Sequence, residues 1–418
     1  MKKLLCLLGS SGMLAACATP VSPLASQPVP APILQQNQPA APLPPVSSQP
    51  LPQAPASSPP VVTPPVVVVP PAVVVAPAKP VAANPKALLD KLLPDYVKPR
   101  NGWRDDLVSA FSALQIPHTA ENYCAVIAVI EQESTFQADP VVPGLPKIVW
   151  GKIGDKAGNY YVPLPVVKTA LLKKSPNGQS YKERIDNLRT EKEMNDLFED
   201  MSAEGQKLGL PMGMKNPIRT GGPMQVSVEF AEAHVRAWPY PYARNGSIRD
   251  EVFSRKGGVY FGSAILLQYP APYTDMRYRF ADFNAGRYAS RNAAFQQAVA
   301  KLSGSKLALD GDLLRYKNGQ PGSDSSSTQL ALAKLRARLG LSDADMLRDL
   351  KQEKSAGFTQ TALYGRVMQL ADQSQGRKVA REIMPEIRLQ SPKITRKLTT
   401  AWFADRVDGR YQRCLARR

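Results

Sequence analysis

Apolar residues beyond residue 86 recur at spacings of three and four, which is the pattern of helices with one buried face. The clearest such segments are residues 103–114, 122–136, 181–208, 247–269 and 330–341. Strand-like alternation is scarce, and residues 147–150 and 159–162 are its only candidates. Turn-forming residues are concentrated in residues 303–327, which predicts a loop-rich break there. The pattern as a whole predicts a mainly α protein.

The first residues have the pattern of a secretory signal. Lys2 and Lys3 precede an apolar stretch, residues 4–14, that is too short to span a bilayer. It ends in Leu-Ala-Ala-Cys, which resembles the lipobox of bacterial lipoproteins and implies cleavage before Cys17 and lipidation of that cysteine. Ala18, rather than Asp, follows, so we expect a lipid anchor at the periplasmic face of the outer membrane of a Gram-negative bacterium. The alternative is an ordinary secretory signal with an incidental cysteine.

Composition changes abruptly after this signal. The segment is built from Pro, Ala, Val, Ser and Gln, and Lys79 is its only charged residue between positions 19 and 85. Because proline interrupts the valines too often for strand pairing, the segment is expected to be disordered and polyproline-like. Its full extension at ~3.1 Å per residue would be on the order of 200 Å. We therefore predict a signal peptide at 1–16 and a tether at 17–86.

The four cysteines separate into two groups. Cys6 leaves with the signal and Cys17 carries lipid, so Cys124 and Cys414 remain as an even pair. In an oxidising periplasm these two can form a disulfide that ties the end of the chain to an early helix. The alternative is two separate buried thiols.

One candidate for chemistry lies at the end of an apolar helical segment. Residues 128–136 read Ala-Val-Ile-Glu-Gln-Glu-Ser-Thr-Phe, and Glu133 shares a helical stripe with Val126 and Val129. A carboxyl group that faces a cleft there would have a raised pKa, as a general acid requires. Taken alone, a glutamate near a helix end is more often a solvated surface residue.

Two further motifs follow in the chain. Residues 220–227 read Thr-Gly-Gly-Pro-Met-Gln-Val-Ser, where the glycines allow close backbone approach and Met224 and Gln225 offer an apolar contact and an amide. Residues 281–287 read Ala-Asp-Phe-Asn-Ala-Gly-Arg, in which Asn284 can hydrogen-bond an acetamido group. Each motif alone is typical of a turn beside a helix.

Together and in this order, the three motifs resemble the catalytic domain of soluble-type lytic transglycosylases, within the lysozyme-like superfamily. That family carries Glu-Ser, then Gly-Leu-Met-Gln, then Ala-Tyr-Asn-Ala-Gly; here the corresponding residues are 133–134, 222–225 and 282–286. The resemblance implies a lysozyme-like helical domain at 87–302, with an insert at about 139–219 and a helical C-terminal region at 303–418. As a whole, the chain also resembles a group of uncharacterised proteobacterial lipoproteins.

The resemblance implies cleavage of the bond between N-acetylmuramic acid and N-acetylglucosamine to a 1,6-anhydro product, with no cofactor. Glu133 would act first as acid and then as base. Ser134 and Gln225 would orient the glutamate and the sugar, Met224 would pack against the ring, and Asn284 would hold the acetamido group. A single carboxylate acting twice differs from the paired carboxylates of most glycosidases.

The third motif departs from the family, because Phe283 stands where the family has tyrosine. Tyr278 or Tyr288 would have to supply that hydroxyl. The long insert can extend the substrate groove or occlude it. These departures leave open a non-catalytic peptidoglycan-binding or scaffold lipoprotein on a degenerate lysozyme-like fold.

A hydrolytic muramidase is a third hypothesis. It would use a second carboxylate, Asp139 or Asp282, to activate water.

Net charge and histidine content limit the kinds of binding partner and metal site that we expect. The chain has 53 Lys and Arg against 35 Asp and Glu, or +18, and the part after the tether keeps 50 basic residues against 35 acidic ones, or +15. Such an excess favours an anionic partner. For a periplasmic protein the carboxylates of peptidoglycan fit better than nucleic acid, and the membrane is contacted through the lipid. His118 and His234 are the only histidines, so we expect no His-rich metal site.

Overall fold

The computed structural model describes residues 81–207, 216–244, 246–317, 320–389 and 398–418. The predicted signal peptide, the predicted lipidation site Cys17 and the predicted tether up to residue 80 lie outside the described residues.

Helices make up most of the described residues, so the prediction of a mainly α protein is confirmed. They are α1 (Pro85–Leu92), α2 (Arg100–Leu114), α3 (Ala120–Glu133), α4 (Leu145–Gly158), α5 (Leu164–Ala170), α6 (Tyr181–Asp186), α7 (Glu191–Lys207), α8 (Val228–Ala237), α9 (Ile248–Val252), α10 (Arg255–Leu267), α11 (Met276–Ala285), α12 (Ala289–Ser303), α13 (Ser327–Lys334), α14 (Arg336–Leu339), α15 (Asp343–Leu350), a 3-10 helix (Ala356–Gln360), α16 (Ala362–Gln375) and α17 (Thr400–Leu415).

The described strands form short antiparallel pairs of two residues each. They are β1 (Thr220–Gly221) with β2 (Val226–Ser227), β3 (Tyr316–Lys317) with β4 (Gln320–Pro321), and β5 (Arg388–Leu389) with β6 (Leu398–Thr399).

Helix α3 lies at the centre of the first hydrophobic core. The Thr119 side chain caps its N-terminus by accepting from the Asn122 amide at 3.2 Å. Residues 123–130 are all buried, because the helix is apolar nearly all round and packs against neighbours on several sides. The helix ends at Glu133, so the polar side chains of its last turn follow directly after the buried residues 123–130.

The last helix, α17, belongs to the same core. It packs against α3 and α11, and Phe403, Val407 and Tyr411 are buried there. Cys124 and Cys414 form a disulfide with a Cα–Cα distance of 5.4 Å across a sequence separation of 290 residues. The end of the chain is therefore bonded to the helix that carries the first motif.

Two smaller cores complete the described structure. One is formed by α12 together with α13, α15 and α16, and Phe295 and Phe358 are fully buried in it. The other lies within residues 139–219, the segment predicted to be an insert, and unites α4 to α7 through side chains such as Leu145, Ile153 and Ile185. The insert thus has an apolar centre of its own. The strand candidate at 147–150 is wrong, because these residues form part of the helix α4.

Candidate functional site

The three motifs lie on elements that share one neighbour, the helix α10. It contacts α3, β2 and α11, which carry or flank the first, second and third motifs. Glycines make this possible: a Cβ on Gly262 would lie 2.1 Å from the sulfur of Met224, and one on Gly258 would lie 2.5 Å from Cδ of Pro223. The second motif therefore packs directly against the backbone of α10.

Glu133 is the last residue of α3 and is partly buried. Ser134 follows it, is buried, and donates its hydroxyl to the Ile130 carbonyl at 3.0 Å. This bond closes the C-terminal turn of the helix. The serine thus fixes the backbone at the point where the glutamate leaves the core.

The backbone is left-handed at all three motifs. Six described non-glycine residues have positive φ, and four of them lie in a motif or within three residues of it: Thr135, Phe136, Gln225 and Tyr288. Such conformations cost free energy for residues with a side chain, and they tend to occur at functional sites. Phe136 is held by its edge-to-face contact with Trp103, at 5.2 Å between ring centroids.

The second motif connects β1 to β2. Met224 is fully buried in the first core, whereas Gln225 is partly exposed and has φ 50°. The side-chain nitrogen of Gln225 donates weakly to the Gly222 carbonyl at 3.4 Å. Gln225 is therefore the residue of this motif whose amide is available at the surface, and Met224 supports it from below.

The third motif is organised around Asp282, which is fully buried. Its carboxylate accepts hydrogen bonds from the hydroxyls of Tyr269 (3.1 Å) and Tyr273 (2.9 Å) and from the amides of Tyr288 (2.9 Å) and Ser290 (2.7 Å). Burial raises the pKa of Asp282 above its ordinary value, and these bonds oppose the increase. A carboxylate surrounded by four donors is poorly suited to activating water.

Asn284 is engaged by the C-terminal helix. Its side-chain oxygen accepts from the hydroxyl of Thr400, the buried first residue of α17, at 3.0 Å. Part of its hydrogen-bonding capacity is thus used within the protein.

The tyrosines near Phe283 have defined environments. The hydroxyl of Tyr288 donates to the Pro270 carbonyl at 3.4 Å. The ring of Tyr278 lies against that of Tyr273, at 5.7 Å between centroids, and burial raises its pKa.

The remaining predicted carboxylate, Asp139, lies at the start of the insert. It accepts from the Thr190 hydroxyl at 2.9 Å, and burial raises its pKa. Asp139 thus links the start of the insert to the segment before α7, because Thr190 immediately precedes that helix.

Sequence reasoning missed the structural role of Asp282 and the arginines of α17 that surround Glu131. Arg410 and Arg413 lie 3.8 Å and 3.9 Å from the Glu131 carboxylate. The three-and-four spacing of arginines in residues 406–417 was the available signal.

Across the described ranges, no helix is long and apolar enough to cross a membrane. Within the same residues, no three side chains of His, Cys, Asp or Glu are grouped as metal ligands.

The chain belongs to the family described as protein of unknown function (DUF1615), whose model matches residues 96–417. That range includes the insert and α17, in agreement with the packing of α17 against α3. Among curated relatives, the uncharacterized protein YaiW of Escherichia coli (strain K12) is 53% identical over 326 residues, which cover 77% of this chain and 87% of that protein. No solved structure matches. The resemblance to uncharacterised bacterial proteins is confirmed.

Proposed function

We propose that the protein is a lytic transglycosylase that cleaves the bond between N-acetylmuramic acid and N-acetylglucosamine in peptidoglycan. The observation that carries the proposal is the contact of α10 with the elements of all three motifs. Three segments far apart in sequence are held around one buried helix, and each has left-handed backbone in or beside its motif. Such local strain is maintained where a particular side-chain geometry is required.

The chemistry assigned to Glu133 is a two-step proton transfer. The protonated carboxyl donates to the glycosidic oxygen, and the N-acetylglucosamine leaves with that proton. The resulting carboxylate accepts the proton of the muramoyl 6-hydroxyl, whose oxygen bonds to C1 and closes the 1,6-anhydro ring. The proton count balances and no water is consumed. Gln225, partly exposed beside the strained turn, is proposed to orient the sugar.

The location proposed for this activity is the periplasmic face of the outer membrane. Lipid on Cys17 would anchor the chain, and the proline-rich segment would let the folded domain reach the peptidoglycan layer.

A second candidate is a non-catalytic peptidoglycan-binding lipoprotein. The favouring observation is that two assigned sugar contacts are engaged within the protein, because Met224 is fully buried and Asn284 accepts from Thr400. On this account the fold would bind glycan strands without turnover.

Digestion of purified sacculi distinguishes the two candidates. Wild type is expected to release muropeptides with anhydro ends, and Glu133→Gln is expected to release none above background. Glu232→Gln, an exposed glutamate on α8, is the matched control and should retain full activity. Sedimentation of the wild type with sacculi but without soluble product would support the binding lipoprotein instead.

A further inference from the structure

Four arginines follow one another along a single stripe of the C-terminal helix. Arg406, Arg410 and Arg413 are spaced by four and three residues on α17, and Arg417 continues the stripe just beyond its end. Because α17 packs against α3, Arg410 and Arg413 of the stripe lie beside the C-terminal turn of α3. Glu131 on that turn is the carboxylate that Arg410 and Arg413 approach at 3.8 Å and 3.9 Å.

Positive charge exceeds negative charge in this cluster. The acids of the same helix are directed elsewhere: Asp405 lies 3.8 Å from Arg277, and Asp408 accepts from Gln412 at 3.2 Å. Tyr96, which is 52% exposed, is close enough for Glu131 and the arginines to affect its pKa; burial, the largest influence, raises that pKa. One carboxylate therefore faces several guanidinium groups at a partly exposed surface.

The donors of the cluster are incompletely used by the described residues. Arg417 donates from Nε to the Leu92 carbonyl at 2.8 Å, whereas its Nη2 is buried without a hydrogen-bond partner in the described ranges. Nε of Arg410 is likewise buried without a hydrogen-bond partner in the described ranges, because its separation from Glu131 is longer than a hydrogen bond, whereas Nη1 of Arg410 donates to the Arg406 carbonyl at 3.2 Å. Arg413 is 62% exposed and presents its guanidinium to solvent. The exposed guanidinium of Arg413 matches the geometry of carboxylates.

The position of the stripe relates it to Glu133. Glu131 and Glu133 are two residues apart, so they lie on opposite sides of the same helix end, separated along the axis by about 3 Å. The body of a helix is only ~10 Å across. A glycan strand at Glu133 carries peptide branches with free carboxylates, and a branch of a few residues spans that width.

We propose that Arg406, Arg410 and Arg413 form a carboxylate-binding surface for the stem peptides of a peptidoglycan strand engaged at Glu133. The inference rests on the proposed function and extends it, because it assigns recognition of the peptide branch to a helix outside the three motifs. Binding by this surface is salt-sensitive and depends on the carboxylates of the wall.

Co-sedimentation with two preparations of sacculi tests the surface. One preparation keeps its carboxylates, and in the other they are converted to amides. The variant is Arg410→Gln with Arg413→Gln, and the control is Arg336→Gln, whose side chain is 63% exposed and lies 3.5 Å from Asp343. On native sacculi the double variant is expected to bind about tenfold more weakly than wild type and control. On amidated sacculi all three proteins are expected to bind equally weakly.

Equal binding of the double variant and wild type to native sacculi would overturn the proposal. So would a loss that persists on amidated sacculi, or a loss seen only with phosphatidylglycerol vesicles. Because Arg410 is half-buried, Arg413→Gln alone is tested as well; it should show part of the loss with an unchanged melting temperature, and Arg413→Lys should restore part of it.

The outcome is separable from that of the enzymatic proposal. Glu133→Gln is expected to bind native sacculi as tightly as wild type. If no anhydro product forms while amidation-sensitive binding persists, the transglycosylase proposal fails and the carboxylate surface remains. If products form but the arginine variants bind normally, the reverse holds.

Discussion

At the scale of residues, the buried carboxylate of Asp282 fixes the geometry of the third motif. It joins the two tyrosine hydroxyls of the loop before α11 to two backbone amides at the start of α12. The four hydrogen bonds that the carboxylate accepts offset the desolvation cost of burying its charge. Removing its acceptor capacity would leave buried donors unpaired. The motif is therefore held from inside the protein.

Asp282→Asn is expected to lower the free energy of unfolding by about 3 kcal/mol, because an amide NH2 would face groups that are themselves donors. Urea unfolding followed by circular dichroism measures this change. Asp324→Asn, at an exposed loop position, is the control and should change stability little. A stability for Asp282→Asn equal to that of the control would refute the assigned role.

A second buried carboxyl, Glu353, makes stability depend on pH. It accepts from the Leu313 amide, and burial raises its pKa to about 7. Its penalty is absent below the ordinary pKa near 4.5, grows as pH rises toward 7, and is constant above that. Glu353→Gln should therefore gain stability relative to wild type between pH 4 and pH 8, by on the order of 3 kcal/mol.

Urea unfolding at the two pH values measures that difference. The exposed substitution Glu232→Gln is the reference and should show no comparable change. A constant difference between Glu353→Gln and wild type at both pH values would disprove the account.

At the scale of elements, α10 brings the motifs together because its glycines admit a neighbouring chain. The hairpin of β1 and β2 approaches so closely at Gly262 that no side chain fits between them. Phe261 and Tyr260 are buried beside it and fill the remaining space. Helix α10 therefore has one face of large buried side chains and one face of glycines that lets the hairpin pack against its backbone.

Gly262→Ala is expected to lower the free energy of unfolding by about 2 kcal/mol, because the new methyl would overlap Met224. The matched control is Gly365→Ala in α16, where a Cβ would have nothing within 4 Å. That control should raise stability by about 0.5–1 kcal/mol, since alanine favours the helix. Thermal unfolding measures both changes. Shifts of the melting temperature in the same direction for the two variants would contradict this account of the packing.

The sequence predicted helices well and their interruptions poorly. The period of three and four residues identified α2 and α3, but the predicted helices at 181–208 and 247–269 each form two helices. Local apolar spacing continues across both breaks. Ser254 caps α10, but a single capping residue is too weak a signal to predict that a new helix begins there. The strand predicted at 147–150 failed because the short apolar run Ile148–Trp150 fits either structure, and it lies within α4.

For the site, the sequence supplied the three motifs but not their internal contacts. Asn284 meets Thr400, and Asp282 meets tyrosines of another loop, through tertiary packing that no local pattern encodes. The arginine stripe was visible as a spacing. Its neighbour on α3, Glu131, is determined by the packing of α17 against α3, which the sequence does not encode locally.

At the scale of the whole molecule, the disulfide joins α3 to α17 and closes a loop of 290 residues. The family model matches residues 96–417, so both helices and both cysteines lie within the region that it covers. Constraining so long a loop limits the unfolded ensemble strongly.

The double substitution Cys124→Ser with Cys414→Ser is expected to lower the free energy of unfolding by about 4 kcal/mol. Reductant should destabilise wild type by a similar amount and leave the double variant unchanged. Urea titrations with and without reductant give both values. Insensitivity of wild type to reductant would show that the bond contributes little.

The fate of water distinguishes the reaction proposed at Glu133 from hydrolysis. Purified sacculi are digested with wild-type protein in H2 18O, and the released muropeptides are analysed by mass spectrometry. Transglycosylation at Glu133 should give products with 1,6-anhydro ends that carry no 18O, because the 6-hydroxyl replaces water as the nucleophile. Reducing ends that carry one 18O atom, or the absence of any soluble product, would contradict it.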